Sequence, residues 1–357
     1  MSVPAVAEPS RPSRRRFRAG RLLVLFASGI SLSLALAEVA VRVFDPIGIS
    51  YFRHMSDFQR EGLRTSDVPG LFYENKPGVD LDVGVPVRIN SLGLRGGEIA
   101  RPKPAGTWRV VVLGDSIAFG WGVPEEETFE ALLASALAKK RGTPVEVLNA
   151  GVIMYNTVQE RVLFDARDSK LEPDLVVLVY CHNDVLLAHT SPLPSQSEGA
   201  RPAELDGLVS SLDWWLLTNS WRFAISDLLR QTTLERLMRE MAKRGGEDAE
   251  SVRRREIVQR YVQSAASKID AEASWSSLGA IAAKCKEMGV PMVVVPFGAP
   301  AELPGVCAKF GIAYAAEADG INSDPDLRLS PVDAHPNAEG HRRMAERILH
   351  ALDRVVR

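Results

Sequence analysis

Hydrophobic residues first form a long uncharged run near the start of the chain. Leu22–Ala37 contains sixteen residues without a charge, and the apolar character continues to Phe44 despite Glu38 and Arg42. A helix over residues 22–44 would be about 34 Å long at about 1.5 Å per residue, close to the roughly 30 Å hydrocarbon core of a bilayer. The pattern therefore predicts a transmembrane helix over residues 22–44.

Positive charge precedes this apolar run. Residues 1–21 hold six arginines and one acid, Glu8. We expect a basic cytoplasmic tail over 1–21 and a signal anchor over 22–44 that places the rest of the chain outside the cytoplasm. Export with signal cleavage near Ala37 is the alternative, because Ala35-Leu36-Ala37 is an A-x-A site and residues 13–17 resemble a twin-arginine signal. A buried core helix with a solvated tail is the third interpretation.

Beyond residue 108 the pattern changes to short apolar runs alternating with amphipathic segments. The runs predict strands at 109–113, 145–148, 175–180, 290–295 and 311–315, and the segments between them predict helices at 125–140, 157–167, 267–288 and 338–356. This alternation predicts an α/β fold over 109–357, with a doubly wound, mainly parallel sheet flanked by helices in three layers. Such sheets bind ligands at the carboxyl ends of their strands.

Two regions interrupt this organisation. Residues 45–108 are rich in glycine, proline and short polar runs, which predict a stalk followed by a small β elaboration packed against the main domain. The region at about 186–255 begins Pro/Ser-rich, then becomes aromatic and highly charged, and we expect a helical insertion there. Its tryptophans, Trp214, Trp215 and Trp221, fit either a packed helix face or an acyl-binding or glycan-binding surface.

Composition excludes several classes of protein. Lys+Arg 43 against Asp+Glu 45 gives a formal net charge of -2, which argues against a nucleic-acid partner. Three cysteines are too few for a disulfide scaffold, and without a CxxC pair we predict no metal site and no cofactor. The sequence does not predict an oligomeric state.

Four polar clusters follow the predicted strands or precede the last helix. They are GDS at 114–116, NAG at 149–151, ND at 183–184 and DAHPNAEGH at 333–341. A serine at a Gly-flanked strand-to-helix turn can present its hydroxyl at the top of a sheet. The clusters converge on one sheet edge, as a nucleophile, a base and an oxyanion site require.

In this order the four motifs resemble the SGNH hydrolases, the GDSL-type esterases and lipases, in a membrane-anchored, bacterial-type form. The resemblance implies that Ser116 is the nucleophile, His335 the general base and Asp333 the acid of a catalytic triad. It further implies an oxyanion hole formed by the Ser116 amide, the Gly151 amide and the Asn183 side chain. The segment 90–95, NSLGLR, is similar to one that precedes the catalytic domain in membrane-anchored relatives.

Two positions depart from the family pattern. The family spaces its acid and base as DxxHP, whereas only Ala334 separates Asp333 from His335 here. Asp324 and Asp326 are alternative acids, and the resemblance also allows a backbone carbonyl in this role. The family block GxND begins with Cys181 instead of glycine. The one-residue shorter spacing changes the direction of the carboxylate at position 333 relative to the family pattern.

The resemblance implies a serine esterase that hydrolyses acyl esters, including acetyl esters, through an acyl-enzyme. The substrate would be an ester in a carbohydrate, a lipid or a small acyl compound. Two alternatives remain open from the sequence. An O-acyltransferase acting on envelope glycans would use the same site, because water and a sugar hydroxyl attack the same acyl-enzyme. A non-catalytic, glycan-binding envelope protein would keep the scaffold without the reaction.

Overall fold

The computed structural model describes residues 14–185, 270–331 and 333–355. The predicted insertion at about 186–255 and its tryptophans lie outside the described residues, as do residues 1–13 of the basic segment and Val332. The chain before the central sheet contains two helices and four short strands, in this order: α1 Arg14–Phe44, α2 Tyr51–Glu61, β1 Leu63–Thr65, β2 Tyr73–Asn75, β3 Val79–Asp82 and β4 Pro86–Ile89.

Helix α1 contains a stretch, Gly20–Phe44, that is long and apolar enough to cross a membrane, the only such helix among the described residues. Its apolar side chains are exposed, with Leu22 at 67% and Phe44 at 80%. Exposed apolar surface on this scale is costly in water. The same length and composition are found in signal sequences, so this helix is a candidate span.

The central sheet contains five parallel strands in the order β6-β5-β7-β8-β9. Their bounds are β5 Trp108–Leu113, β6 Val145–Asn149, β7 Leu175–Cys181, β8 Met292–Phe297 and β9 Ala313–Tyr314. Every residue of β7 is buried, as expected for a central strand covered on both faces. The doubly wound α/β fold predicted from the sequence is therefore confirmed.

Helices cover both faces of this sheet. They are α3 Ser116–Phe119, α4 Phe129–Arg141, α5 Thr157–Ala166, α6 Ala271–Glu287, α7 Leu303–Phe310 and α8 Ala338–Val355. Val110 and Val112 face a cluster formed with α4 and α8, whereas Val111 and Leu113 face a cluster formed with α5, α6 and α7. This alternation is the two-residue period of a strand, and it gives three layers.

Residues 45–107 pack against this domain, and they contain helix α2, which was not predicted from the sequence. Phe58 of α2 is fully buried, and its ring lies 5.0 Å from the ring of Phe119 and 5.7 Å from that of Trp121. The β3–β4 hairpin adds Val87 and Ile89 to the same cluster. The sequence obscured this arrangement because α2 is short and lies among glycine and proline residues.

A two-stranded antiparallel sheet near the end of the chain was not predicted either. It consists of β10 Arg328–Ser330 and β11 Asp333–Pro336, and its register shifts between Arg328 and Ser330. The strands are three and four residues long, too short to give a recognisable period in the sequence. This small sheet leads directly into α8.

Candidate active site

The turn after β5 presents Ser116 at the carboxyl end of the sheet. Gly114 has a φ of 150°, and a Cβ there would lie 2.6 Å from Ala118 Cβ, so only glycine fits. Asp115 caps α3, because its Oδ1 accepts a hydrogen bond from Ile117 N at 2.9 Å. Ser116 therefore begins a one-turn helix at the carboxyl end of β5, the strand next to the central β7. In the strand order, this is the point where the chain reverses direction across the sheet.

Strand β11 brings a histidine and a carboxylate to this serine. His335 Nε2 lies 2.8 Å from Ser116 Oγ, and His335 Nδ1 lies 2.5 Å from Asp333 Oδ1. Residues two apart in a strand point to the same side, so the DxH spacing places both side chains on one face. The shortened spacing is thus compatible with a continuous Ser–His–Asp line.

Asp333 is held in place by its own backbone contacts. Its Oδ1 also accepts from His335 N at 3.1 Å, and its backbone N donates to Ser330 Oγ at 3.1 Å. The alternative acids have other contacts: Asp324 Oδ1 accepts from Asp326 N, and Asp326 O accepts from Asn337 Nδ2. The structure therefore brings Asp333, and neither alternative, into hydrogen-bond contact with the His335 ring.

Asn337 follows this strand and begins α8. Its Oδ1 accepts from Gly340 N at 3.0 Å, the contact of a helix N-cap. Its Nδ2 donates to Asp326 O at 2.8 Å and to Arg328 O at 3.0 Å. This one side chain therefore links the start of α8 to β10, the partner strand of the strand that carries His335.

The other two residues expected at the oxyanion hole already have hydrogen-bond partners. Gly151 N donates to Asn149 Oδ1 at 3.1 Å, an Asx-turn, and Asn183 Nδ2 donates to Tyr155 O at 3.1 Å. An amide nitrogen of asparagine carries two hydrogens, so Asn183 retains one for a ligand, whereas Gly151 has a single N–H. The acceptors of these two donors, Asn149 Oδ1 and Tyr155 O, both lie between the end of β6 and the start of α5.

Steric contact gives Gly151 a second role. A Cβ at this position would lie 2.3 Å from Phe119 N and 2.8 Å from the Ala118 carbonyl carbon. The loop after β6 therefore approaches the backbone of α3 closely enough to require glycine. This packing accounts for the glycine of NAG independently of any oxyanion role.

The sequence family described as GDSL-like lipase/acylhydrolase matches residues 112–343, more than half of the chain. The chain belongs to this family. It is therefore a hydrolase that acts on ester bonds. Comparison with curated proteins gives no match.

Solved structures similar to this GDSL-like hydrolase include two esterases. The psychrotrophic esterase EstA from Pseudoalteromonas sp. is 11% identical, with 70% of this chain and 98% of that chain covered and a TM-score of 0.38. The acetylxylan esterase Axe2 from Geobacillus stearothermophilus, solved as a catalytic mutant, is 10% identical, with 69% of this chain and 94% of that chain covered and a TM-score of 0.37.

Two aromatic rings flank the histidine of the GDSL-like hydrolase. The ring of Tyr51 lies 6.1 Å from that of His335, and the ring of Trp121 lies 6.5 Å from it. Burial, with the negative charge of Asp333, raises the pKa of Tyr51 to about 12, so its hydroxyl stays protonated. Sequence reasoning missed Tyr51, since it lies on α2, outside the residues that the family match covers.

Buried acids support the loop that carries Asn183. Asp184 Oδ1 accepts from Thr157 Oγ1 at 2.7 Å, and its Oδ2 accepts from Cys181 N at 2.5 Å. Burial raises the pKa of Glu160 well above its ordinary value, and its carboxyl oxygens have no hydrogen-bond partner among the described residues. Asp184 therefore bonds local backbone and Thr157, and it fixes the start of the turn that presents Asn183.

Proposed function

We propose that this GDSL-like hydrolase cleaves acyl esters through a triad of Ser116, His335 and Asp333. The continuous hydrogen-bonded line from Ser116 Oγ through the His335 ring to Asp333 Oδ1 carries the proposal. A serine hydroxyl is a weak nucleophile until a base takes its proton, and His335 Nε2 is within reach of that proton. Asp333 holds Nδ1 protonated, which leaves Nε2 as the acceptor.

The reaction then proceeds in two stages. Ser116 Oγ attacks the ester carbonyl carbon while His335 takes its proton, and the resulting imidazolium returns the proton to the leaving alcohol. The acyl group remains on Ser116 as an ester. Water attacks this acyl-enzyme while His335 takes its proton, the bond between the acyl carbon and Ser116 Oγ breaks, and the imidazolium returns the proton to Ser116 as the carboxylic acid leaves. Asp333 stabilises the charged imidazole in both stages.

The oxyanion of each tetrahedral intermediate needs preorganised donors. We assign this role to the Ser116 amide and to the Asn183 hydrogen that Tyr155 O does not use. Gly151 N also serves if substrate binding replaces Asn149 Oδ1 as its acceptor. Loss of one such donor typically lowers turnover by about 100- to 1,000-fold.

We also propose that Gly20–Phe44 anchors the enzyme in a membrane with the catalytic domain outside the cytoplasm, on the charge pattern of residues 1–44. The connection between α1 and α2 is short, and Asp45 closes it by accepting hydrogen bonds from Ser50 N at 2.9 Å and Ser50 Oγ at 2.7 Å. Tyr51, which follows directly, contacts the His335 ring. Under this proposal the site is held close to the membrane surface. Export with cleavage near Ala37 would instead separate the catalytic domain from the membrane.

Hydrolysis of p-nitrophenyl esters from acetyl to palmitoyl by the full chain in detergent tests the function and its chain-length preference. Ser116→Ala and His335→Ala should each lower kcat on the order of 10⁶-fold, whereas His350→Ala, at an exposed histidine of α8, should retain it. Equal activity in the Ser116→Ala variant would contradict the triad.

Adding an acetylated donor with a glycan acceptor separates the esterase from the O-acyltransferase, because a transferase would yield more acylated glycan than free acid.

A further inference from the structure

The guanidinium of Arg95 lies beneath the helix that begins with Ser116. Arg95 is only 5% exposed and belongs to the segment between β4 and β5, outside the residues that the family match covers. Its backbone N donates to Asn149 O at 3.0 Å, which continues the pairing of this segment with the end of β6. The side chain therefore enters the catalytic domain from the N-terminal segment, at a fixed position.

The guanidinium binds three backbone carbonyls, one at the last residue of α3 and two in the turn that follows the helix. It donates to Phe119 O at 2.7 Å, to Gly120 O and to Val123 O at 2.5 Å. The last carbonyls of a helix have no partner within the helix and carry partial negative charge. Arg95 thus satisfies acceptors that a one-turn helix cannot satisfy itself.

The charge of Arg95 is directed to these carbonyls. Burial lowers the pKa of Arg95 to about 10, so it remains a cation at neutral pH. The nearby carboxyl of Glu130 is fully buried, and burial raises its pKa well above the ordinary value. The backbone carbonyls are therefore the direct partners of the guanidinium.

Helix α3 depends on such contacts for its orientation. A single turn is not stable on its own, because nucleation costs more than one hydrogen bond returns. Its start is fixed by the Asp115 cap, and its end is fixed by Arg95 together with Asn149 Nδ2, which donates to Ala118 O at 2.7 Å. Ser116 Oγ must reach both His335 and the ester carbon, so a tilt of this helix changes the reacting geometry.

We propose that Arg95 is a positioning residue for Ser116, acting by clamping the carboxyl end of the nucleophile helix. The inference rests on the proposed role of Ser116 as nucleophile. A displacement of about 1 Å at a reacting group costs about 100-fold in rate. Because Arg95 does not contact the ester, its loss should lower kcat by about 100-fold and leave KM within about threefold.

A second buried arginine provides a matched control. Arg109, at the start of β5 and the opposite end of the strand from Ser116, is fully buried. It donates to Leu171 O at 2.8 Å and to Ala100 O at 3.0 Å, and its Nε donates to Glu146 Oε2 at 2.7 Å. Arg95→Lys and Arg109→Lys each remove a buried fork of donors to backbone carbonyls, so both should lower the unfolding temperature. Only Arg95→Lys should lower kcat.

The test uses the full chain in detergent, well below the unfolding temperature of each variant. It measures kcat, KM, the pH profile of kcat/KM and the rate at which a fluorophosphonate labels Ser116. For Arg95→Lys we expect kcat and the labelling rate to fall together by about 100-fold, with an unchanged pH profile because the His335–Asp333 pair is intact. Unchanged kcat, or an equal loss in Arg109→Lys, would overturn the inference.

A second variant covers the case in which Arg95→Lys does not fold. Asn149→Asp keeps an oxygen for Gly151 N but removes the two donors to Ala118 O and Phe119 O. It should show the same loss of kcat at unchanged KM, and full activity would overturn the proposal that contacts at the carboxyl end of α3 position Ser116.

If the unmodified enzyme neither hydrolyses esters nor labels at Ser116, the proposed function fails. If it does both and the variants match it, only this inference fails.

Discussion

His341 should make the stability of the fold depend on acidity below about pH 6.5. The side chain is fully buried, and its Nδ1 accepts a hydrogen bond from Phe129 N at 3.2 Å, at the start of α4. Its ring stacks on that of Phe129 with 5.9 Å between centroids. Burial, with the positive charges of Arg95 and His335, lowers the pKa of His341 to about 3.

The sign and size of the effect follow from proton binding. The folded protein keeps His341 neutral down to about pH 3, whereas the unfolded chain binds a proton below about pH 6.5. The stabilisation is thus complete above about pH 6.5 and is lost as the pH falls towards about 3. Each pH unit below about 6.5 lowers the free energy of unfolding by about 1.4 kcal/mol, and pH 5 lies about 1.5 units below it. His341 alone should therefore remove about 2 kcal/mol from the free energy of unfolding between pH 7 and pH 5.

Urea unfolding of the full chain in detergent, followed by circular dichroism at pH 7 and pH 5, measures this difference. His341→Asn retains an oxygen that can accept from Phe129 N, but its side chain cannot titrate. The free energy of unfolding of this variant should therefore fall between pH 7 and pH 5 by about 2 kcal/mol less than that of the unmodified chain. His350→Asn, at an exposed position on α8, should keep the full dependence. The same pH dependence in His341→Asn as in the unmodified chain would refute the reasoning.

Three further predictions concern the triad, the glycine of NAG and the N-terminal segment. Asp333→Asn should lower kcat by about 10⁴-fold, because an amide cannot hold the required tautomer of His335; near-full activity in the ester assay would assign the acid elsewhere. Gly151→Ala should destabilise the fold by about 1–3 kcal/mol in urea unfolding, because its Cβ would overlap Phe119 N, and unchanged stability would exclude this overlap. Phe58→Ala should cost about 3–5 kcal/mol by the same measurement, since its ring fills the core beside Trp121; a loss under about 1 kcal/mol would mean that α2 is not integral to the fold.

The sheet could be predicted because its strands are continuous apolar runs that need no long-range information. β7, LVVLVYC, is buried throughout, and the amphipathic segments around it have the period of helices. Helix α2 and its contacts could not be predicted, since the rings of Phe58 and Trp121, which are far apart in the sequence, meet only in the folded protein. The insertion at about 186–255 stays a prediction.

Some residues of the site could be predicted from the sequence and others could not. Ser116 and His335 were identifiable because each lies in a recognisable motif, and the structure brings them within hydrogen-bond distance. The DxH spacing looked unfavourable in sequence, but it is suited to a strand, whose period of two the short β11 does not reveal. Arg95 was noted only as part of a segment similar to one in membrane-anchored relatives. Its role could not be predicted, because its partners are backbone carbonyls, which every residue has.

The central claim is that Ser116 is a nucleophile activated by His335. Incubating the full chain with a fluorophosphonate at neutral pH and locating the adduct by peptide mass spectrometry tests it most directly. We predict one adduct on Ser116, absent in Ser116→Ala and formed far more slowly in His335→Ala. An adduct on a different serine, or an unmodified Ser116 in an enzyme that still hydrolyses esters, would contradict the account.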